Sequence, residues 1–264
     1  MSTHPKKEWF DDDSFWIDQY PSMFSDQRFA EAAEQAERLL QLMRPQGREV
    51  LDLGCGPGRF AIPLAQQGFR VTGVDRTAFL LEKARLRAEA AQVTIDWVQQ
   101  DMRAFVRPAA FDLIISMFTS FGYFEDRRDD LTVLLNILRS LKPGGACIID
   151  VLGKERAARM LQPTTAETLP DGTILVKRCQ VVDDWTRVRT EHIVIREGMT
   201  RTFTFDITLY SGQELRDRLE LVGFSDVKLY GNLKGDEYSF DAERLVAVAR
   251  KPQGDPETRM QPNH

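Results

Sequence analysis

Apolar and polar residues are arranged along this chain in blocks that alternate between two periods. Short apolar runs are typical of buried strands, and they occupy positions 50–53, 69–75, 93–98, 111–116 and 146–151. Between them, residues 77–91 and 131–141 carry apolar side chains every three or four positions, as amphipathic helices do. The alternation of strand and helix predicts a doubly wound α/β fold with a mostly parallel sheet.

The pattern changes after residue 160. Three further runs have strand character, and they occupy positions 172–182, 187–196 and 201–210. In the last run Phe203 and Phe205 alternate with threonines, which is the period of a strand buried on one face. We therefore expect an antiparallel insertion of about three strands that covers the substrate side of a pocket.

The two ends of the chain complete the predicted organisation. An N-terminal helical cap over 1–46 is rich in aromatic residues, and it either packs on the main domain or closes over a ligand as a lid. We predict that the main domain comprises residues 47–159 and 211–251. The insertion comprises residues 160–210, and residues 252–264 form a disordered tail. Within 211–251, a capping box at Ser211 begins a helix that two strands follow.

Composition narrows the classes of function. The 264 residues carry 35 basic and 40 acidic side chains, a net charge of -5, which disfavours general binding of nucleic acid. No apolar run approaches the roughly 20 residues that a membrane helix needs. The three cysteines do not form the pattern of a disulfide framework, which favours a location in the reducing cytoplasm. The three histidines do not have the spacing of metal ligands, so we expect no metal site. The expected partner is a small molecule, and the oligomeric state stays open.

Residues 50–60 carry the strongest chemical signal. An apolar run ends in Gly54, Gly56 and Gly58, and a helical pattern begins directly afterwards. Glycines there allow a sharp reversal of the chain and a close approach of a ligand to backbone N–H groups. Asp75 ends the next predicted strand, 21 residues after Gly54, where a carboxylate suits a ribose diol. A nicotinamide dinucleotide and S-adenosylmethionine both carry such a ribose diol, so Asp75 does not distinguish between them.

Four features in order along residues 49–251 resemble class I S-adenosylmethionine-dependent methyltransferases. They are the G-x-G-x-G spacing after Asp52, the acidic Asp75, the pair Asp101-Met102 after the third strand, and the turn at Lys142-Pro143-Gly144-Gly145. The resemblance implies a seven-stranded, mostly parallel sheet whose last strand is antiparallel. It also implies S-adenosylmethionine as cofactor and S-adenosylhomocysteine as product.

The resemblance also implies which residues contact the cofactor. Asp101 would accept from the adenine amino group, Met102 would pack on the ring, and Arg28 would pair with the methionine carboxylate. The full set of expected cofactor contacts is Tyr20, Arg28, Gly54, Cys55, Gly56, Gly58, Asp75, Arg76, Asp101, Met102 and Met117. An aromatic loop over 116–123 and the N-terminal cap look most like the branch that methylates small molecules on nitrogen or oxygen.

A general base is less defined. Tyr123, Tyr210 and His192 are the catalytic candidates, with Asp206 beside them. His192 also fits a purely structural role, and Tyr210 and Asp206 fall on a strand face that equally suits solvent. Two other functions remain open from sequence: a non-catalytic regulatory protein that binds S-adenosylmethionine, and an NAD(P)-dependent oxidoreductase, which the glycine spacing disfavours.

Overall fold

A computed structural model describes residues 8–254 of the chain. In this range the strands are β1 (Glu49–Leu53), β2 (Arg70–Asp75), β3 (Asp96–Gln99), β4 (Phe111–Ser116), β5 (Leu141–Val151), β6 (Thr164–Thr168), β7 (Ile174–Val182), β8 (Arg187–Arg196), β9 (Met199–Thr208), β10 (Ser225–Tyr230) and β11 (Leu245–Arg250). The α-helices are α1 (Asp13–Met23), α2 (Asp26–Ala30), α3 (Ala32–Met43), α4 (Ala61–Gln66), α5 (Ala78–Ala90), α6 (Arg127–Ser140), α7 (Lys154–Met160) and α8 (Gly212–Leu221). The predicted disordered tail falls mostly outside the described residues.

Seven strands form the main sheet in the order β10-β11-β5-β4-β1-β2-β3. The pairings from β5 to β3 are parallel, whereas β11 runs antiparallel to both β5 and β10. Alternate residues of the central strands enter two different apolar cores, with Leu51 on one face and Val50 on the other. Burial on both faces explains the nearly continuous apolar runs, and the predicted fold class is confirmed.

The second sheet contains four antiparallel strands in the order β6-β7-β8-β9, one more than the sequence predicted. The additional strand β6 has the sequence TTAET, and all five of its residues are exposed. A strand without an apolar face leaves no periodic signal. Its pairing with β7, and not its own side chains, defines it.

Helix α1 packs against this second sheet. Gln19 Oε1 lies 2.9 Å from His192 Nδ1 in a buried contact, and Arg201 donates to Asp18 at 2.9 Å. The described part of the predicted N-terminal helical cap contains the three helices α1 to α3. The N-terminal segment and the carboxyl ends of β1, β2 and β4 therefore meet around one space, and the second sheet packs on the N-terminal segment.

Candidate active site

The glycine loop after β1 has a conformation that depends on glycine. Gly54 has φ of +78°, and a Cβ built on it would lie 2.7 Å from the Cβ of Ser120. Positive φ disfavours other residues, and the contact leaves no room for a side chain. The Gly54 amide donates to the carbonyl of Val74 at 2.8 Å, which fixes the loop against β2.

Asp75 at the end of β2 joins the glycine loop to the next helix. Its carboxylate accepts from the Gly56 amide at 2.8 Å and from the Thr77 amide at 2.9 Å. Burial raises the pKa of Asp75 above its usual value, and these hydrogen bonds oppose the shift. Burial, together with the charge of Asp75, also raises the pKa of Asp52 to about 7, against a hydrogen bond from the Ala61 amide.

Asp101 lies beyond the end of β3 and is held by two arginines. Arg103 Nη2 donates to its carboxylate at 2.7 Å, and Arg76 Nη1 does so at 3.2 Å. Burial favours a higher pKa for Asp101, but the hydrogen bonds from Arg103 outweigh it and the net shift is downward. Arg103 also pairs with Glu8 at 2.6 Å, which fastens the start of the described chain over this region.

At the other end of the space, Arg59 lies almost fully buried, with 8% of its surface exposed. Its Nη2 donates to Gln35 at 2.9 Å, and its guanidinium lies 3.7 Å from the centre of the Phe118 ring. Its Nε is buried and has no hydrogen-bond partner in the described part of the chain. Burial first, and the charge of Arg28 second, lower the pKa of Arg59 to about 10, so Arg59 remains charged at neutral pH.

Aromatic side chains form the remaining wall. Tyr123 lies with its ring centre 4.7 Å from that of Trp9, and Trp9 stacks on Phe205 of β9 at 4.6 Å. Burial raises the pKa of Tyr123 well above that of a free phenol, so its hydroxyl is neutral at pH 7. The wall therefore offers apolar surface and one phenolic hydroxyl.

These groups surround one cavity of about 1090 Å³, mouth included. It is lined by Phe10, Trp16, Met23, Phe24, Arg28, Asp52, Gly54, Cys55, Gly56, Arg59, Phe60, Val74, Asp75, Arg76, Thr77, Leu80, Gln100, Asp101, Met102, Met117, Phe118, Ser120, Tyr123 and Phe124. The structure thus brings nine of the eleven expected cofactor contacts together, all except Tyr20 and Gly58. Tyr20 accepts a hydrogen bond from Arg87 behind the wall, and Gly58 faces Trp97 and Ile62.

Of the catalytic candidates, Tyr123 alone lines this cavity. Tyr210 is completely buried elsewhere and donates its hydroxyl to Asp130. His192 is buried against Gln19 and Phe15 between α1 and the second sheet, and burial lowers its pKa to about 4. Asp206 pairs with Arg189 on β8, at 2.8 Å. The sequence placed these residues on plausible strands but could not give the distance of each from the cavity.

Sequence reasoning missed Arg59 and Phe118 as cavity residues. In the sequence, Arg59 only occupies the position of the third glycine of a dinucleotide-binding G-x-G-x-x-G motif. Phe118 is only one of several aromatic residues in the loop after β4. Between residues 8 and 254, no cluster of three or more histidine, cysteine or acidic side chains could hold a metal ion. No helix in this described part is long and apolar enough to span a membrane.

Comparison with known proteins agrees with this geometry. Residues 50–145 match the model of a methyltransferase domain family. The chain is 30% identical to a ubiquinone biosynthesis O-methyltransferase from Klebsiella pneumoniae, over 61% of this chain and 70% of that protein. It is 26% identical to the cypemycin N-terminal methyltransferase of a Streptomyces species, over 78% of this chain and 84% of that protein.

A solved structure extends the likeness to the fold. The S-adenosylmethionine-dependent methyltransferase of Clostridium acetobutylicum superposes with a TM-score of 0.75 at 16% sequence identity. The superposition covers 90% of this chain and 98% of that one. Because the identity is low, this comparison speaks for the fold alone.

Proposed function

Because this chain belongs to the class I S-adenosylmethionine-dependent methyltransferases, we propose that its cavity binds that cofactor and transfers the methyl group to a nitrogen or oxygen of a small molecule. The observation that carries the proposal is the contact between Asp75 and the Gly56 amide at 2.8 Å. This contact brings a partly buried carboxylate and a glycine-rich loop together in the lining of one cavity.

The residues present fit the cofactor. We assign the ribose diol to Asp75, which keeps acceptor capacity beyond its two backbone bonds. We assign the adenine to the region of Asp101 and Met102, and the sulfur end to Met117 and the loop at Gly54. Both oxygens of Asp101 already accept from arginines, so the adenine amino group would share that carboxylate with Arg103.

The amino-acid end of the cofactor is assigned to the two arginines of the cavity. Arg59 presents a buried Nε without a hydrogen-bond partner among the described residues, and Arg28 lines the same cavity close enough for its charge to lower the pKa of Arg59. The positive charges of Arg28 and Arg59 repel each other, and a cofactor carboxylate bound between them would offset this repulsion. Arg59 is thus a cofactor contact beyond the set inferred from sequence.

When bound, S-adenosylmethionine supplies a methyl group on a positively charged sulfur. The chain contributes position and exclusion of water, because the aromatic side chains of Phe10, Trp16 and Phe124 line the cavity. Tyr123 is neutral, so its hydroxyl orients a nucleophile through a hydrogen bond and does not remove a proton. The acceptor consequently presents its own lone pair, as a free amine or an ionised oxygen does.

The acceptor class is proposed from the shape of the cavity and from the names of two relatives. One is an O-methyltransferase of ubiquinone biosynthesis and the other an N-terminal methyltransferase of a peptide, so the branch accepts both kinds of atom. Support for a role of the second sheet comes from Trp9, which contacts Tyr123 of the cavity wall on one side and stacks on Phe205 of β9 on the other. We propose that residues 160–210 form the substrate lid.

Calorimetric titration with S-adenosylhomocysteine, and with NADH in parallel, tests the proposal. The native chain should bind the first ligand only, and Asp75→Ala should weaken that binding by at least tenfold. Asp171→Ala, which removes an exposed carboxylate of the second sheet, is the matched control and should bind as the native chain does. A native chain that prefers NADH, or binds neither ligand, would refute the proposal. Conversion of S-adenosylmethionine with pooled amines and phenols then separates an enzyme from a regulatory binder.

A further inference from the structure

The loop that follows β4 holds two consecutive non-glycine residues in the left-handed region. Phe118 has φ of +54° and Thr119 has φ of +64°. A side chain at such angles is unfavourable, and the conformation persists only where neighbouring groups impose it. The two residues adjoin the cavity, since Met117, Phe118 and Ser120 all line it.

Two residues far apart in sequence impose this conformation. Asp150, near the end of β5, accepts from the Phe118 amide through its carboxylate at 3.0 Å and from the Thr119 amide through its carbonyl at 2.8 Å. Arg244, directly before β11, donates Nε to the Asp150 carboxylate at 2.6 Å and Nη2 to the Thr119 hydroxyl at 3.0 Å. A planar guanidinium can make both bonds at once because its donors have a fixed fork geometry.

The loop conformation in turn determines the cavity wall. The Phe118 ring lies under the guanidinium of Arg59, and the Ser120 hydroxyl donates to the carbonyl of Gly54 at 3.3 Å. A change in the backbone conformation of residues 118 and 119 would therefore move both the Phe118 ring that contacts Arg59 and the Ser120 hydroxyl that bonds to the glycine loop. Arg244 does not line the cavity, so its hydrogen bonds affect the cavity wall through the loop, while its positive charge also lowers the pKa of Arg59.

We propose that Arg244 is a positioning residue that, with Asp150, holds Phe118 and Thr119 in the left-handed conformation required for cofactor binding. The inference rests on the proposed function. Without Arg244, the loop would relax toward ordinary backbone angles, and the binding-competent form would become a minority. Apparent affinity falls in proportion to the fraction of competent molecules.

The experiment measures the dissociation constant of S-adenosylhomocysteine by calorimetry. Arg244→Ala should weaken binding about tenfold, equivalent to ~1.4 kcal/mol. Thr119→Gly added to Arg244→Ala should restore most of that affinity, because glycine adopts positive φ without strain. Arg250→Ala is the matched control, since Arg250 lies at the opposite end of β11 and pairs only loosely with Asp226 at 3.8 Å.

A second variant, Arg244→Lys, is measured because Arg244→Ala leaves Asp150 without an ion pair and the chain could then unfold. Lysine keeps the charge beside Asp150 but lacks the fork that reaches Thr119, so it should also weaken binding and also be rescued by Thr119→Gly. Equal affinities for Arg244→Lys and Arg250→Ala would overturn the inference. So would a loss that Thr119→Gly fails to recover in a folded protein. A native chain that binds no S-adenosylhomocysteine would instead overturn the proposed function.

Discussion

Arg59→Met should weaken binding of S-adenosylhomocysteine but leave binding of 5′-methylthioadenosine almost unchanged. The second ligand has the same nucleoside and sulfur but lacks the amino-acid end. Arg59 is assigned to that end because its buried Nε has no hydrogen-bond partner within residues 8–254 and its side chain lines the cavity. Methionine keeps a long apolar side chain and removes the guanidinium, both its charged donors and its stacking on Phe118.

The magnitude follows from burial and charge. Arg59 is 8% exposed and charged at neutral pH, so its bond to a carboxylate would be largely shielded from solvent. A hydrogen bond to a charged group contributes about 1.5–3 kcal/mol, which corresponds to an affinity loss of roughly 10- to 150-fold. The loss should lie at the lower end of that range if Arg28 retains the carboxylate on its own.

The assay is calorimetric titration of both ligands into the native chain, Arg59→Met and Arg48→Met. Arg48 also approaches an aromatic ring, that of Phe69 at 5.7 Å, but it does not line the cavity and serves as the control. Equal weakening of both ligands by Arg59→Met would mean a general collapse of the cavity. Unchanged binding of both would mean that the carboxylate lies elsewhere, and either result would refute the assignment.

Three further predictions concern other residues of the fold. Gly54→Ala should abolish S-adenosylhomocysteine binding because its Cβ meets Ser120, whereas Gly198→Ala has similar strain (φ of +76°) with open space around it and should bind normally in the same titration. Between pH 7 and pH 5, the native chain should lose about 2 kcal/mol of unfolding free energy through His192, and His192→Gln should abolish this loss, as measured by urea unfolding at both pH values. Its folded pKa lies near 4, below its unfolded value, so stability is full above about pH 6.5 and is lost as pH falls toward 4. The native chain should lose that stability on acidification and the variant should not; parallel losses would contradict the burial of His192. Tyr210→Phe should cost about 1–3 kcal/mol of unfolding free energy because Asp130 loses its donor. Its S-adenosylhomocysteine affinity should stay native, and a weakened affinity would place Tyr210 at the ligand after all.

The parts of the site that follow one another closely in sequence were predictable. The glycine loop, Asp75 and Asp101 each lie at or just beyond the end of a strand, and parallel strands bring their carboxyl ends to one edge of a sheet. All three therefore line the same cavity, as their positions after predicted strands suggested. Arg28, which only the resemblance suggested, lines that cavity too.

The parts that depend on distant pairing were not predictable. Arg244 and Thr119 are 125 residues apart, and neither belongs to a pattern that predicts a contact. His192 and Tyr210 carry suitable chemistry, but burial against Gln19 and Asp130 depends on how the second sheet docks. The strand β6 has no apolar face, so only its partner reveals it.

The position of β11 in the sheet has a consequence for biosynthesis. This strand follows all the other described strands in sequence, yet it lies between β5 and β10, and residues 245–249 are all buried. A chain still on the ribosome can contain the entire glycine loop, Asp75 and Asp101 while β5 lacks its neighbour β11 and Asp150 lacks Arg244. Strand β11 and the residue before it thus complete both the sheet and the loop beside the cavity. Chains that end before residue 244 would present the open edge of β5 to the quality-control machinery of the cell.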